Sequence, residues 1–185
     1  MNPVDGSKPS FYEIMFSAPL GRTNLSTGVF SMLWEFVPWF WNHRAVVTTP
    51  IVISFLQILR TENPDAKVGL AGFCWGGKYA LIASQKKSSD TPLAEAVFVG
   101  HPSFLSVPAD VEKPNAPVSL AVASTDIIFS PKSAEKVEKL WKDDPDYKYE
   151  MKIYDGASHG FCVRGDMRDE KQKEHMTQSC EQVIF

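Results

Sequence analysis

The sequence predicts an α/β fold, with helices layered on a mostly parallel sheet, from three observations. From residue 48 onward, short apolar runs of strand length alternate with segments at helical spacing, and strands interleaved with helices build βαβ units and parallel sheets. A glycine-framed cysteine, Gly72-Phe73-Cys74-Trp75-Gly76, lies between one such run and the helix after it. The chain of 185 residues with 44% hydrophobic content suffices for a domain with a buried core.

The first 27 residues, rich in Gly, Pro, Ser, Thr and Asn, show no sustained period and read as an irregular segment ahead of one domain at 28–185. An aromatic block follows from Val29 to Trp41, holding three of the five tryptophans. It reads as a core helix stopped near Pro38, or as an apolar wall over a substrate pocket. A membrane-surface anchor would need a Lys/Arg face that the block lacks. Thr49 can cap a helix with Pro50 at its first position, and Ile51, Phe55 and Leu59 follow at four-residue spacing until Asn63-Pro64-Asp65 ends it. Lys67–Gly72 reads as a buried strand, Gly76–Lys86 as a helix, Ala96–Val99 and Val118–Val122 as two further strands, and Pro131–Trp141 as a helix. Tyr149, Met151 and Ile153 alternate with Lys148, Glu150 and Lys152, a strand with one polar face. Met176, Cys180 and Val183 mark a final amphipathic helix. About four strands are legible where a doubly wound sheet has five or more, so the domain is expected to be N-terminally truncated, with an open sheet edge available for self-association.

Composition narrows function by exclusion. Nineteen Lys+Arg against 22 Asp+Glu leave a net charge of −3, too mild to point to nucleic acid. No run of about 20 apolar residues stands in the chain, so no membrane-spanning helix is expected. Three cysteines without C-x-x-C spacing cannot form a pure disulfide framework, which suits a reducing, cytoplasmic setting and leaves a thiol for chemistry.

Gly72–Gly76 is the G-x-C-x-G form of a nucleophile elbow. A sharp turn between strand and helix lifts the cysteine side chain above the sheet, and glycines two residues either side avoid clashes there. The following helix aims backbone N–H groups and its dipole at the thiol, which favours the thiolate. A buried structural cysteine in a glycine-rich turn would carry the same pattern. Two more groups favour chemistry. Asp126 follows the Val118–Val122 strand, and His159 follows the Tyr149–Tyr154 strand, at spacings of 52 and 33 residues along the chain. In an open α/β sheet these strand ends face one crevice. The order of nucleophile, acid and histidine is that of α/β-hydrolases.

The stretches Ala71–Ala80, His101-Pro102-Ser103-Phe104-Leu105 and Ser158–Asp166 resemble the dienelactone hydrolase family, especially its fungal members, and the likeness runs from about Phe30 to the C-terminus. The resemblance implies an α/β-hydrolase fold and a Cys-Asp-His triad mapped onto Cys74, Asp126 and His159. It implies hydrolysis of a small-molecule ester or lactone through a thioester, without metal or cofactor. Trp75 would give a backbone oxyanion donor. Arg164, His101 and Trp39 are candidate substrate contacts, Arg164 for a carboxylate. Two rival readings stand beside this one: a cysteine hydrolase of the amidotransferase or deglycase type, and a non-catalytic truncated hydrolase acting as a binding module.

Overall fold

The computed structural model describes Trp34, residues 36–112 and residues 114–184. The predicted loop at 1–27 lies outside these residues, as does the start of the aromatic block. Two compact units divide between Thr48 and Thr49. In the first, residues 36–42 are helical, and the Phe36, Trp39 and His43 rings stack along it, with Trp39 and His43 centroids 4.9 Å apart.

The elements of the remaining chain are α1 (Ala45–Glu62), β1 (Gly69–Phe73), α2 (Trp75–Ser84), the short pair β2 (Lys87–Ser88) and β3 (Thr91–Pro92), β4 (Ala96–Gly100), β5 (Val118–Ala123), α3 (Pro131–Lys142), β6 (Tyr149–Tyr154), α4 (Phe161–Arg164) and α5 (Glu170–Ile184). Four strands form one sheet in the order β1-β4-β5-β6, every neighbour parallel. The β2–β3 hairpin and the single-turn α4 carried no legible period in the sequence.

Register sorts the strand residues onto two faces. Leu70, Val97, Val99, Val118, Leu120 and Val122 pack with α2 and α3 residues such as Leu81, Val137 and Trp141. Phe98, Ala121, Ala123 and Tyr154 meet Ala157, Phe161 and Val183 on the other. Helices on both faces bury a nearly continuous apolar sheet, which is why β4 and β5 read as unbroken hydrophobic runs.

Three helix predictions are corrected. First, α1 begins at Ala45 rather than at a Thr49 cap, and Pro50 lies inside it. The Val47 and Thr48 N–H groups bond to the Arg44 carbonyl at 2.9 and 3.1 Å, so the helix is already under way before the proline. Pro50 therefore lies past the first turn, where it forfeits a ladder bond and its ring crowds the carbonyl one turn back. Second, Ile51 and Phe55 face outward, while Leu56 is buried with Ala83 and Leu93. This helix is apolar nearly all round, so spacing alone could not choose its face. Its 18 residues are also long and apolar enough to cross a membrane by length and composition alone. Third, Cys180 of α5 is exposed, and the buried stripe is His175, Ser179 and Gln182. Polar residues can be buried there because they are bonded: the Tyr154 hydroxyl donates to Gln182 Oε1 at 2.8 Å, and Gln182 Nε2 donates to Ser119 Oγ at 3.0 Å.

Candidate active site

The elbow forms because β1 and α2 approach closely across one residue. A Cβ on Gly72 would lie 2.6 Å from the Gly76 carbonyl oxygen and 2.8 Å from Ala80 Cβ, so only glycine fits. The predicted need for glycine at Gly76 is not met, since a Cβ there would stand in open space. The second tight position is Gly77, where a Cβ would sit 3.0 Å from Val99 and 3.1 Å from Pro102. Between them Cys74 adopts φ 50, ψ −120, a left-sided backbone that a side-chain-bearing residue adopts at a cost of about 1–3 kcal/mol. Its N–H bonds to the Gly100 carbonyl, and its carbonyl accepts from the Gly77 and Ser103 N–H groups. The turn is thereby clamped to the end of β4.

Parallel strand ends bring the other groups to the sulfur. His159 Nε2 lies 3.2 Å from Cys74 Sγ, and His159 Nδ1 lies 2.7 Å from Asp126 Oδ2. Asp126 is buried, and its other oxygen accepts the N–H groups of Ile128 at 2.8 Å and Phe129 at 3.2 Å. The carboxylate is thus fully engaged and points one oxygen at the imidazole.

Burial pushes the Cys74 thiol up, but hydrogen bonds from His159 and Ser103, the His159 charge and the Trp75 N–H outweigh it and bring the group from 9.0 to about 7. Burial pulls His159 down, while its bonds to Asp126 and Cys74 raise it to about 9. Asp126 is held below its ordinary value despite burial, chiefly by the His159 bond. Between these two values the favoured state is a thiolate beside an imidazolium, the arrangement of an activated cysteine.

The structure brings Cys74, Asp126, His159 and the Trp75 N–H together. His101 is wholly buried, edge-on to His159 with centroids 5.0 Å apart. It cannot touch a substrate, which corrects its candidacy as a contact. Burial and then the His159 charge push it down to about 4, so it is a neutral wall behind the catalytic-type imidazole. Arg164 is exposed on α4 and lines a cavity of about 210 Å3 with His159, Lys171 and His175. A larger cavity of about 440 Å3 runs along sheet residues such as Ala71, Phe98 and Glu150 and includes none of Cys74, Asp126 and His159, so size does not mark the site here. Trp39 belongs to the unit of residues 1–48 rather than to the one holding Cys74. Sequence reasoning passed over Ser103, whose Oγ is 3.2 Å from Cys74 Sγ. The available signal was a hydroxyl three residues beyond the end of a strand, but nothing in the chain said that this strand neighbours the elbow.

A cysteine on a strand-to-helix elbow, with aspartate and histidine on the loops after two later parallel strands, defines the α/β-hydrolase class of fold. Thermogutta terrifontis esterase 2 in its apo form shares that fold with a TM-score of 0.53 at 15% identity, over 72% of this chain and 62% of that one. The model of the dienelactone hydrolase family matches residues 40–184, and the chain belongs to that family. It is 27% identical over 150 residues to hydrolase pyvD of Aspergillus violaceofuscus, covering 81% of this chain and 58% of that protein. With hydrolase tropI of Talaromyces stipitatus it shares 30% over 126 residues, covering 68% and 47%. The chain thus spans about half the length of these curated relatives.

Proposed function

We propose that this protein hydrolyses small-molecule carboxylic esters or lactones through a thioester on Cys74. The observation that carries the reading is the unbroken line from Cys74 Sγ through His159 to Asp126, at 3.2 and 2.7 Å. In this scheme Cys74 Sγ attacks the carbonyl carbon, and charge gathers on its oxygen beside the Trp75 N–H. The C–O bond breaks as His159 Nε2–H gives its proton to the leaving oxygen. Water then adds to the thioester, His159 takes the proton from that water, and the departing thiolate recovers the resting pair. Asp126 orients the imidazole and offsets its charge throughout. Arg164, sharing a cavity with His159, suits a substrate carrying a carboxylate. A nucleophilic thiol also suits a reducing, cytoplasmic compartment.

The test is turnover of p-nitrophenyl acetate with mass analysis of the quenched protein. An acetyl group on the Cys74 peptide and loss of turnover in Cys74→Ala are expected. Undiminished turnover in Cys74→Ala would overturn the scheme.

A further inference from the structure

Ser103 closes a triangle that the line of three residues leaves open. Its Oγ lies 3.2 Å from Cys74 Sγ and 3.3 Å from His159 Nε2. Resting on the reading of Cys74 as nucleophile, we propose that Ser103 is a fourth catalytic residue, whose hydroxyl donates to the Cys74 sulfur and holds it anionic before attack.

A second nucleophile drawing on the same histidine would have similar distances, but Ser103 is 1% exposed. A carbonyl carbon cannot reach an oxygen that water does not reach. Proton bookkeeping then fixes the direction of the bond. When the Cys74 proton resides on His159 Nε2, that nitrogen cannot accept, so the single Ser103 O–H can turn only to the sulfur. Nε2–H and O–H converge on the thiolate, and Ser103 keeps its own proton in every step. In the neutral pair the hydroxyl rotates to Nε2, so it is satisfied in both states.

The backbone holds Ser103 in place independently of its side chain. Its N–H bonds to the Cys74 carbonyl at 2.9 Å. His101 and Phe104 on either side have φ 36 and φ 57, a strained loop of the kind found at functional sites. Lys78 Nζ secures that loop by donating to the Phe104 carbonyl at 2.9 Å. The charged and titratable groups around the sulfur are His159, Asp126 behind it, and His101, with Arg164 acting on His101 from α4. Ser103 and the Trp75 N–H are the uncharged donors among them, and the Ser103 bond favours the thiolate.

The experiment is the pH dependence of Cys74 alkylation by iodoacetamide, read by peptide mass spectrometry in wild type, Ser103→Ala and Ser103→Thr. Ser103→Ala should raise the midpoint by about one pH unit, the usual worth of a hydrogen bond to a charged group. The acid limb of kcat/KM for p-nitrophenyl acetate should move with it. Ser103→Thr retains the hydroxyl and should keep the wild-type midpoint. An unmoved midpoint in Ser103→Ala overturns the proposal, and so does a shift in Ser103→Thr as large as in Ser103→Ala, which would trace the effect to packing. Ser103→Gly gives the same reading if Ser103→Ala does not fold. Alkylation needs no turnover, so failure of the nucleophile scheme, seen as an active Cys74→Ala, is distinguishable from failure here.

Discussion

Cys74 and Cys162 both lie against Gly100, one through its N–H on the Gly100 carbonyl, the other with its sulfur 2.9 Å from where a Cβ on Gly100 would stand. Both thiols are half-buried, and burial is the largest influence on each. Yet Cys74 is brought down to about 7, while Cys162 is pushed up to about 12. Cys162 packs against the apolar cluster of Phe98, Ala121 and Phe161, with the Ser179 hydroxyl and its own backbone as its polar support. Cys74 has an imidazolium, a hydroxyl and a helix N–H. Removing water from a thiol makes it inert; replacing that water with a fixed cation and aimed donors makes it reactive.

The largest expected effect tests this contrast directly. At pH 8 most Cys74 is thiolate and almost no Cys162 is, so iodoacetamide should label Cys74 roughly 30- to 100-fold faster, after allowing for the lower nucleophilicity of a low-pKa thiolate. Peptide mapping at short times measures the ratio, and equal labelling would break the comparison. Cys74→Ala should lower ester turnover by at least about 1,000-fold. Cys162→Ala should leave turnover in place.

Removing the cation should make the two thiols alike. His159→Ala is expected to lower kcat by about 100- to 10,000-fold, the range for a lost general base. It should also raise the Cys74 alkylation midpoint well above 7, because burial remains when the His159 bond and charge are gone, while the Ser103 and Trp75 hydrogen bonds still favour the thiolate. A midpoint that stayed near 7 would assign activation to the Ser103 hydroxyl and the elbow backbone instead.

How much of this contrast the chain displayed in advance depended on whether a feature is local. The elbow, the strand ends bearing Asp126 and His159, and the sheet's parallel character were legible because each rests on a few adjacent residues or a repeating period. The buried faces of α1 and α5 were not. Ile51 and Phe55 look as buried as Leu56 in a helix apolar on all sides, and His175, Ser179 and Gln182 look solvated until their sheet partners are known. Ser103 was invisible as a site residue for the same reason. Its role arises from β4 pairing with β1, a contact between residues far apart in sequence.

His159 and His101 repeat the cysteine contrast with the signs set by a base rather than an acid. His159 is raised to about 9, and His101 is pushed down to about 4; among the described residues, neither ring nitrogen of His101 has a hydrogen-bond partner. Between about 4 and the ordinary 6.5 the unfolded chain binds a proton at His101 that the folded chain refuses. Stability therefore rises with pH across this window, is complete above 6.5, and is lost on acidification, by about 3 kcal/mol in all. His159 and Cys74 contribute with opposite signs between about 7 and 9, since one gains and the other loses proton affinity on folding. Chemical denaturation from pH 7 to 4 should show the acid loss in wild type and a flatter profile in His101→Phe. Equal slopes would mean that His101 accepts a proton in place.

The smallest expected effect separates the two thiols at the residue they share. Gly100→Ala would put a Cβ 2.9 Å from both Cys162 Sγ and Phe73 Cδ1. Both neighbours belong to the packed face of the sheet, so overpacking there should cost about 1–3 kcal/mol. The Cys74 side of Gly100 is different in kind. Its contact is a backbone bond from the Cys74 N–H to the Gly100 carbonyl at 3.1 Å, which a methyl group on the opposite face does not remove. The variant should therefore melt at a lower temperature with the Cys74 alkylation midpoint still near 7. A midpoint that climbed together with the loss of stability would show that the apolar face tunes the nucleophile through β4. The two cysteines would then be parts of one coupled device rather than independent neighbours of a single glycine.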